Sequence, residues 1–264
     1  MEPTNLVVYT LSNHDADVKL KIFDELEFHV HSTVLKTHSA FFRRFLDSPD
    51  KVSKNQNLGK FKYVWVSVID EDGSWSLIDV RNQPNETNDA EVKPKKLKGS
   101  KKRHEKVFSQ FIGVFYGKVW TIKDDANLEA ITELADYYCA LPMLSKSLPG
   151  ALSTSIQYAG SLLLNSTMGM RNQNKRLELA VKLRSPELFR DCMIYLVGYW
   201  WYYSKTEESF ESNNENPQIN ALATKLHAQI CVKICATNRK LQYIPILSKR
   251  REDRQTKAKI DNLS

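Results

Sequence analysis

Polar and apolar positions alternate along Asp17–Phe23, "DVKLKIF", with Val18, Leu20 and Ile22 on one face and Lys19 and Lys21 on the other. A period of two predicts a half-buried strand. Asp24 and Glu25 supply a polar turn, and "EFHVH" alternates again with Phe28 and Val30 inward. The period changes at Ser32, a suitable N-cap. A helix with Val34 and Leu35 inward follows. A second helix from near Ser39 is expected to bury Phe41, Phe42 and Phe45 and to leave Arg43 and Arg44 in solvent.

Downstream, Asp47–Lys60 is polar and loop-like, and Phe61–Val80 reads as two strands around Asp72-Gly73, a dipeptide suited to a tight hairpin. Arg81–Arg103 is rich in Asn, Pro, Glu and Lys and predicts a disordered insert, residues 81–104. In Asp124–Leu144, Leu128, Ile131, Leu134, Ala135 and Tyr138 recur at helical spacing. Beyond residue 150 every pattern is helical. Asn174–Ser185 places Leu177, Ala180, Val181 and Arg184 on one stripe. A helix then starts with Ser185 as N-cap, Pro186 at the first position and Glu187 at the positive end of the dipole. Glu211–Gln218 reads as a loop and Ile219–Gln242 as a final helix. The sequence predicts an N-terminal segment 1–13 with a β-rich run at Asn5–Leu11, an α+β domain over 14–150, a helical region 151–246 and a fraying basic tail 247–264.

Composition narrows the function. With 42% hydrophobic residues the 264-residue chain has ample material for a core, which excludes global disorder. The longest apolar run, Cys192–Tyr203, has twelve residues against the roughly twenty that a membrane span needs, so a buried helix is expected and no membrane association. "MEPTN" has no secretory character, and four cysteines make no disulfide framework; both fit a reducing cytoplasmic or nuclear interior. The sequons at Asn85 and Asn165 then carry no meaning. Val92–Lys106 holds eight Lys/Arg against one Glu, and its +7 equals the net charge of the chain. The high pI belongs to this loop.

The order of these blocks, with "FHVHSTVLKTHSAFFRRF" at the centre, resembles the BTB/POZ domain, a protein-interaction module with no chemistry of its own. "EKVFSQFIGVFYGKVW" (Glu105–Trp120) is similar to the family's third helix and the short strand after it, ending at the aromatic, tyrosine and glycine Phe115, Tyr116 and Gly117. "DDANLEAITELADYYCALPML" is similar to its fourth helix, with Ala135, Asp136 and Tyr137 as the Ala-Asp-Tyr of the family. The likeness spans about residues 14–150, and Leu177–Trp200 resembles a block that follows the BTB domain in filamentous-fungal proteins. It implies a core of Val18, Leu20, Phe28, Val30, Leu35, Phe41, Phe42, Phe45, Phe115, Tyr116, Leu134 and Ala135. It also implies an interface near Leu6, Val8, Asp17 and Ser32. Dimeric members pair an acidic residue at the position of Asp17 with a basic one at that of Ser32; serine cannot supply that charge. The hydrophobic-x-Glu motif of cullin adaptors is missing from Phe45–Lys62.

Catalytic chemistry finds little footing. Gly113–Lys118 imitates a phosphate loop but has three residues between its glycines and Val119 where a Ser/Thr should follow. His227, Cys231 and Cys235 share a helix face, but no fourth ligand follows; Leu226, Ile230, Cys231, Ile234 and Cys235 read instead as an apolar stripe. His29, His31 and His38 have no nucleophile to serve. Lys95, Lys96, Lys98, Lys101, Lys102 and Arg103 are candidates for nuclear import. No DNA-reading module accompanies them, so sequence-specific nucleic-acid binding is not expected. The aromatic run Tyr199–Tyr203 is expected in a core. The sequence therefore predicts a non-enzymatic scaffold without metal or cofactor that binds other proteins. Asn5–Leu11 is expected as a strand exchanged between the two copies of a homodimer; the competing role is intramolecular, with Leu6, Val8 and Tyr9 covering an exposed sheet edge. A cullin-type ubiquitin-ligase adaptor and a nuclear regulator are the alternatives.

Overall fold

Five strands form one mixed sheet: β1 (Asn5–Val8), β2 (Val18–Ile22), β3 (Leu26–Val30), β4 (Tyr63–Ile69) and β5 (Trp75–Asp79), in the order β1-β3-β2-β4-β5. β1 runs parallel to β3 and β2 parallel to β4, while β2–β3 and β4–β5 are antiparallel. The computed structural model describes residues 5–23, 25–46, 60–82, 96–155, 169–198 and 216–261. Asp24, residues 47–59 of the expected loop, residues 83–95 with Asn85 and Lys95, Asn165, the aromatic run 199–203 and residues 211–215 lie outside them.

The alternation read from the sequence sets the sheet's two faces. Val18, Leu20, Ile22, Phe28 and Val30 are fully buried on one of them. The helices of this part are α1 (Ser32–His38), α2 (Ala40–Leu46), α3 (Lys101–Phe115), α4 (Asp125–Tyr137) and α5 (Leu141–Thr154); α2 and α3 reach that face through Phe42 and Phe108, and α4 and α5 pack on α3. Its centre is aromatic. Tyr138 stacks on Phe42 at 5.3 Å and on Phe111 at 5.5 Å, Phe28 meets Phe108 edge-on at 5.7 Å, and Phe41 and Phe42 both approach Trp65. Burial pushes the Tyr138 phenol far above its ordinary value. Burying each such ring contributes about 1.5–3 kcal/mol, and edge-to-face pairing adds to that.

The expected core is found with five changes. Leu35, Phe42, Phe115 and Ala135 are buried, but Val34, Phe41, Phe45, Tyr116 and Leu134 are half-buried. A helix of seven residues has one inward stripe, and in α2 that stripe is Phe42 and Leu46. Phe41 and Phe45 sit on its flank, 4.5 Å apart.

Other boundaries also move. His31, not Ser32, is the N-cap of α1. The hairpin turns at Gly73 with φ +80°, where a Cβ would come within 2.8 Å of the Lys96 carbonyl. No strand follows α3; Gly117, with φ +66°, ends the helix and residues 118–123 are irregular. The single helix expected over Asp124–Leu144 is two, because Cys139 takes a left-handed φ of 50° between α4 and α5. Asp124 caps α4 by accepting from the Asn127 N–H at 2.7 Å. The expected insert is shorter than 81–104. Val80–Asn82 is a turn of 3₁₀ helix, Lys98 donates its N–H to the Gly73 carbonyl, and α3 begins at Lys101.

The chain divides into two compact units, 1–165 with 178–187, and 166–177 with 188–264. The first reaches past the expected boundary at 150. Ala151 and Ser155 are buried there, and Ser155 Oγ accepts from the Ile122 N–H at 2.7 Å. Among the described residues, the remaining helices are α6 (Gly169–Lys182), α7 (Pro186–Gly198) and α8 (Pro217–Asp261). In α6, Leu177, Leu179 and Ala180 are buried and Val181 is 48% exposed, so the stripe lies one position from the expected one. Arg184, expected on that stripe, is exposed and takes φ 49° where the helix ends. In α7, Cys192, Met193, Tyr195, Leu196 and Val197 are buried, in keeping with a core helix. α8 extends well beyond Ile219–Gln242 and takes in most of the tail expected to fray. Cys231, Cys235, Ile230 and Ile234 are exposed there, so the expected apolar stripe is not packed. No helix among the described residues is long and apolar enough to cross a membrane. The fold is of mixed α+β class.

Candidate interaction surface

The first residues of the chain close one edge of the sheet. β1 pairs with β3 in the register Asn5↔Leu26 to Val8↔His29. This is the intramolecular alternative to strand exchange. Leu6 and Val8 remain 52% and 51% exposed on the outer face.

A polar cluster fastens the strand just after it ends. Tyr9 is buried and stacks on Tyr116 at 4.1 Å, with Lys118 Nζ 4.7 Å over the Tyr9 ring. The Tyr116 hydroxyl accepts the His31 backbone N–H at 2.8 Å and donates to His31 Nδ1 at 3.1 Å; His31 Nε2–H donates to the His14 carbonyl at 3.1 Å. This tautomer satisfies both ring nitrogens of a buried histidine. Burial pushes the Tyr116 phenol up to about 12, and burial raises Tyr9 as well.

Asp17 and Ser32 meet directly. The carboxylate accepts the Ser32 N–H at 2.7 Å and the Ser32 hydroxyl at 2.6 Å. Ser32 gives the Asp17 carboxylate two hydrogen bonds, one of them from an orphan N–H of the first turn of α1. The Asp17 carbonyl also accepts from the Lys62 and Tyr63 N–H groups, so one residue joins β2, α1 and β4.

The outer face carries a second cluster. Glu27 is buried on it, with Lys19 Nζ at 3.0 Å and His29 Nε2 at 2.6 Å. Phe61 covers the pair, 4.5 Å from the His29 ring and 5.0 Å from Lys19 Nζ. Burial raises the Glu27 carboxyl, but the hydrogen bonds and charges of His29 and Lys19 outweigh it, and the result lies below the ordinary value. Between the two clusters runs a groove of about 660 Å³ lined by Val8, Tyr9, Leu11, His14, His29 and Phe61. Of its lining, the His14 carbonyl accepts from His31 and the His29 ring is held by Glu27. Val8 and Leu11 are exposed along it beside the polar Asn13, Asp15 and Lys60, and Leu6 is exposed on the strand next to it.

The other predicted sites stay apart from this surface. Lys96, Lys98, Lys101, Lys102 and Arg103 are exposed. Arg103 Nη2 donates to the Ala126 carbonyl, and His104 hydrogen-bonds to the Lys98 carbonyl at 2.7 Å. The three cations of the α3 first turn sit at the positive end of its dipole, where cations destabilise. Gly113 is buried inside α3, so no phosphate loop exists there. Burial, with Lys146 adding, lowers the His38 imidazole. Cys231 Sγ lies 3.5 Å from His227 Nε2, but no three metal-ligating side chains converge among the described residues.

Sequence reasoning missed Tyr9, Tyr116 and Glu27 as polar contacts. Glu27 lies on the polar face of the alternation, and nothing local announces that Phe61 covers it. The Asp17–Ser32 pair was visible as a position, but not as a hydrogen bond. No protein-family model matches the chain, and no curated protein matches it.

Proposed function

We propose that this chain is a BTB/POZ-type interaction scaffold without catalytic chemistry of its own, and that it works as a homodimer. The observation that carries the reading is the element order β2-β3-α1-α2-β4-β5-α3-α4-α5, with a sheet capped on one face by paired helices. The resemblance of the sequence to that family runs through the same elements. The polar groups beside the groove support a binding rather than a reacting surface: Glu27 is held by Lys19 and His29, and Tyr116 by His31.

The dimer rests on β1. It is an edge strand with exposed apolar side chains, and edge strands invite pairing with another chain. It joins the body through the short turn Leu11–His14, where Asn13 takes φ 60°. Opening that turn lets β1 of one copy take the same parallel register on β3 of another.

Capture from native lysate, read by mass spectrometry, tests the reading with the full chain and with a Leu6→Asp/Val8→Asp variant as baits. Both side chains are about half exposed, so the variant keeps its fold. The proposal predicts a defined set of proteins held by the wild type and lost from the variant. Equal capture by both would overturn the assignment of this surface.

A further inference from the structure

The longest helix among the described residues carries an apolar line that is exposed from Ile230 to Leu241. α8 has 45 residues and so runs about 67 Å. Ile219, Ala223, Leu226, Ile230, Ile234 and Leu241 recur at intervals of four, three, four, four and seven. At 3.6 residues per turn they fall within a band about 80° wide. The first part is covered: Ile219 is 8% exposed and Ala223 is fully buried. From Ile230 on it is open, with Ile230 at 45%, Ile234 at 54% and Leu241 at 57%. A single helix of this length gains little stability from propensity alone and depends on packing.

Charge and width identify the occupant. Between Pro217 and Arg251 the sequence holds seven Lys/Arg and no Asp or Glu. Lys225, Lys233, Arg239 and Lys240 are all exposed. Lys233 and Lys240 lie along one side of the line, where flanking charges choose the partner of a helix pair. A second copy of α8 would set like charges against like, which destabilises. A lipid surface needs a broad apolar face, whereas this band is the narrow seam of helix–helix packing. A nucleic acid would leave the isoleucines and Leu241 unused.

We propose that Leu226–Tyr243 of α8 is a docking seam for an acidic amphipathic helix of another protein. The apolar residues of that helix cover Ile230, Ile234 and Leu241, and its Glu or Asp flanks face Lys233 and Lys240. The inference stands apart from the family reading, because α8 lies beyond residues 14–150.

The test uses the full chain and a fluorescent synthetic helix of about 28 residues, with leucines at three–four spacing and glutamates on both flanks. Its control carries lysines in place of the glutamates. Anisotropy should show binding of the glutamate peptide only, weakening about tenfold between roughly 50 and 300 mM salt. Leu241→Glu or Ile234→Glu should weaken it at least about tenfold, with unchanged circular dichroism and melting because both positions are exposed. Lys233→Glu with Lys240→Glu should switch preference to the lysine peptide. Four results would overturn the proposal: no binding of the glutamate peptide by the wild type, equal binding by Leu241→Glu, a doubling of mass abolished by Leu241→Glu, or phosphatidylserine vesicles binding the seam in preference to the peptide.

Discussion

Asp17 ties the start of β2 to both α1 and β4. Its carboxylate holds both polar hydrogens of Ser32 and its carbonyl holds two N–H groups at the start of β4. Asp17→Ala leaves the Ser32 N–H without that acceptor and should cost about 1–3 kcal/mol in urea unfolding. Asp17→Asn keeps one acceptor and should cost less; equal midpoints for wild type and Asp17→Ala would contradict the assignment. Glu27 gives a pH signature. Its folded value is depressed, so its contribution is present above the ordinary carboxyl range near 4.5 and is lost as pH falls through the lower folded value. Melting temperature should therefore drop more steeply below about pH 4.5 in the wild type than in Glu27→Gln. Parallel curves would show that the Lys19–Glu27–His29 cluster does not carry it. Neither residue was fully legible in the sequence. Asp17 stood out only through a family position, and Glu27 looked solvated because alternation reports the face of a strand and not what covers that face.

Elements were more legible than contacts. Strands β2 and β3 follow from strict alternation, and the β4–β5 hairpin from Asp72-Gly73, because both signals are local. The break between α4 and α5 was hidden, since helical spacing continues through Tyr138 while the backbone turns at Cys139. The start of α3 was hidden for the opposite reason. A run of Lys and Arg looks like loop, and packing from Val107 onward overrides it. At this scale Phe42 is the decisive side chain. It is fully buried between Trp65 and Tyr138, so Phe42→Asp should abolish cooperative melting by burying an unpaired charge. A soluble variant with a sharp transition would refute the core described here. The ordered ends of the insert set a second expectation. Replacing 83–95 by a short Gly/Ser linker keeps the Asp79–Arg81 pair, the Lys98–Gly73 bond and the first turn of α3. It should move the melting midpoint far less than removing Arg81–Arg103. Equal losses would show that those contacts contribute nothing.

At the scale of the whole molecule, charge and exposure separate two kinds of surface. Strand β1 exposes Leu6 and Val8 beside a groove of mixed polar and apolar lining, and Pro217–Arg251 of α8 carries only basic charged residues. On the function proposed above, the first unit is a binding platform that pairs with its own kind through the N-terminal strand. Light scattering coupled to size exclusion, on the full chain at tens of micromolar, tests that claim most directly. The expected mass is twice the 30.5 kDa of one chain, returning to that of a single chain when residues 1–11 are deleted. A full-length chain that elutes at 30.5 kDa across that range would contradict it.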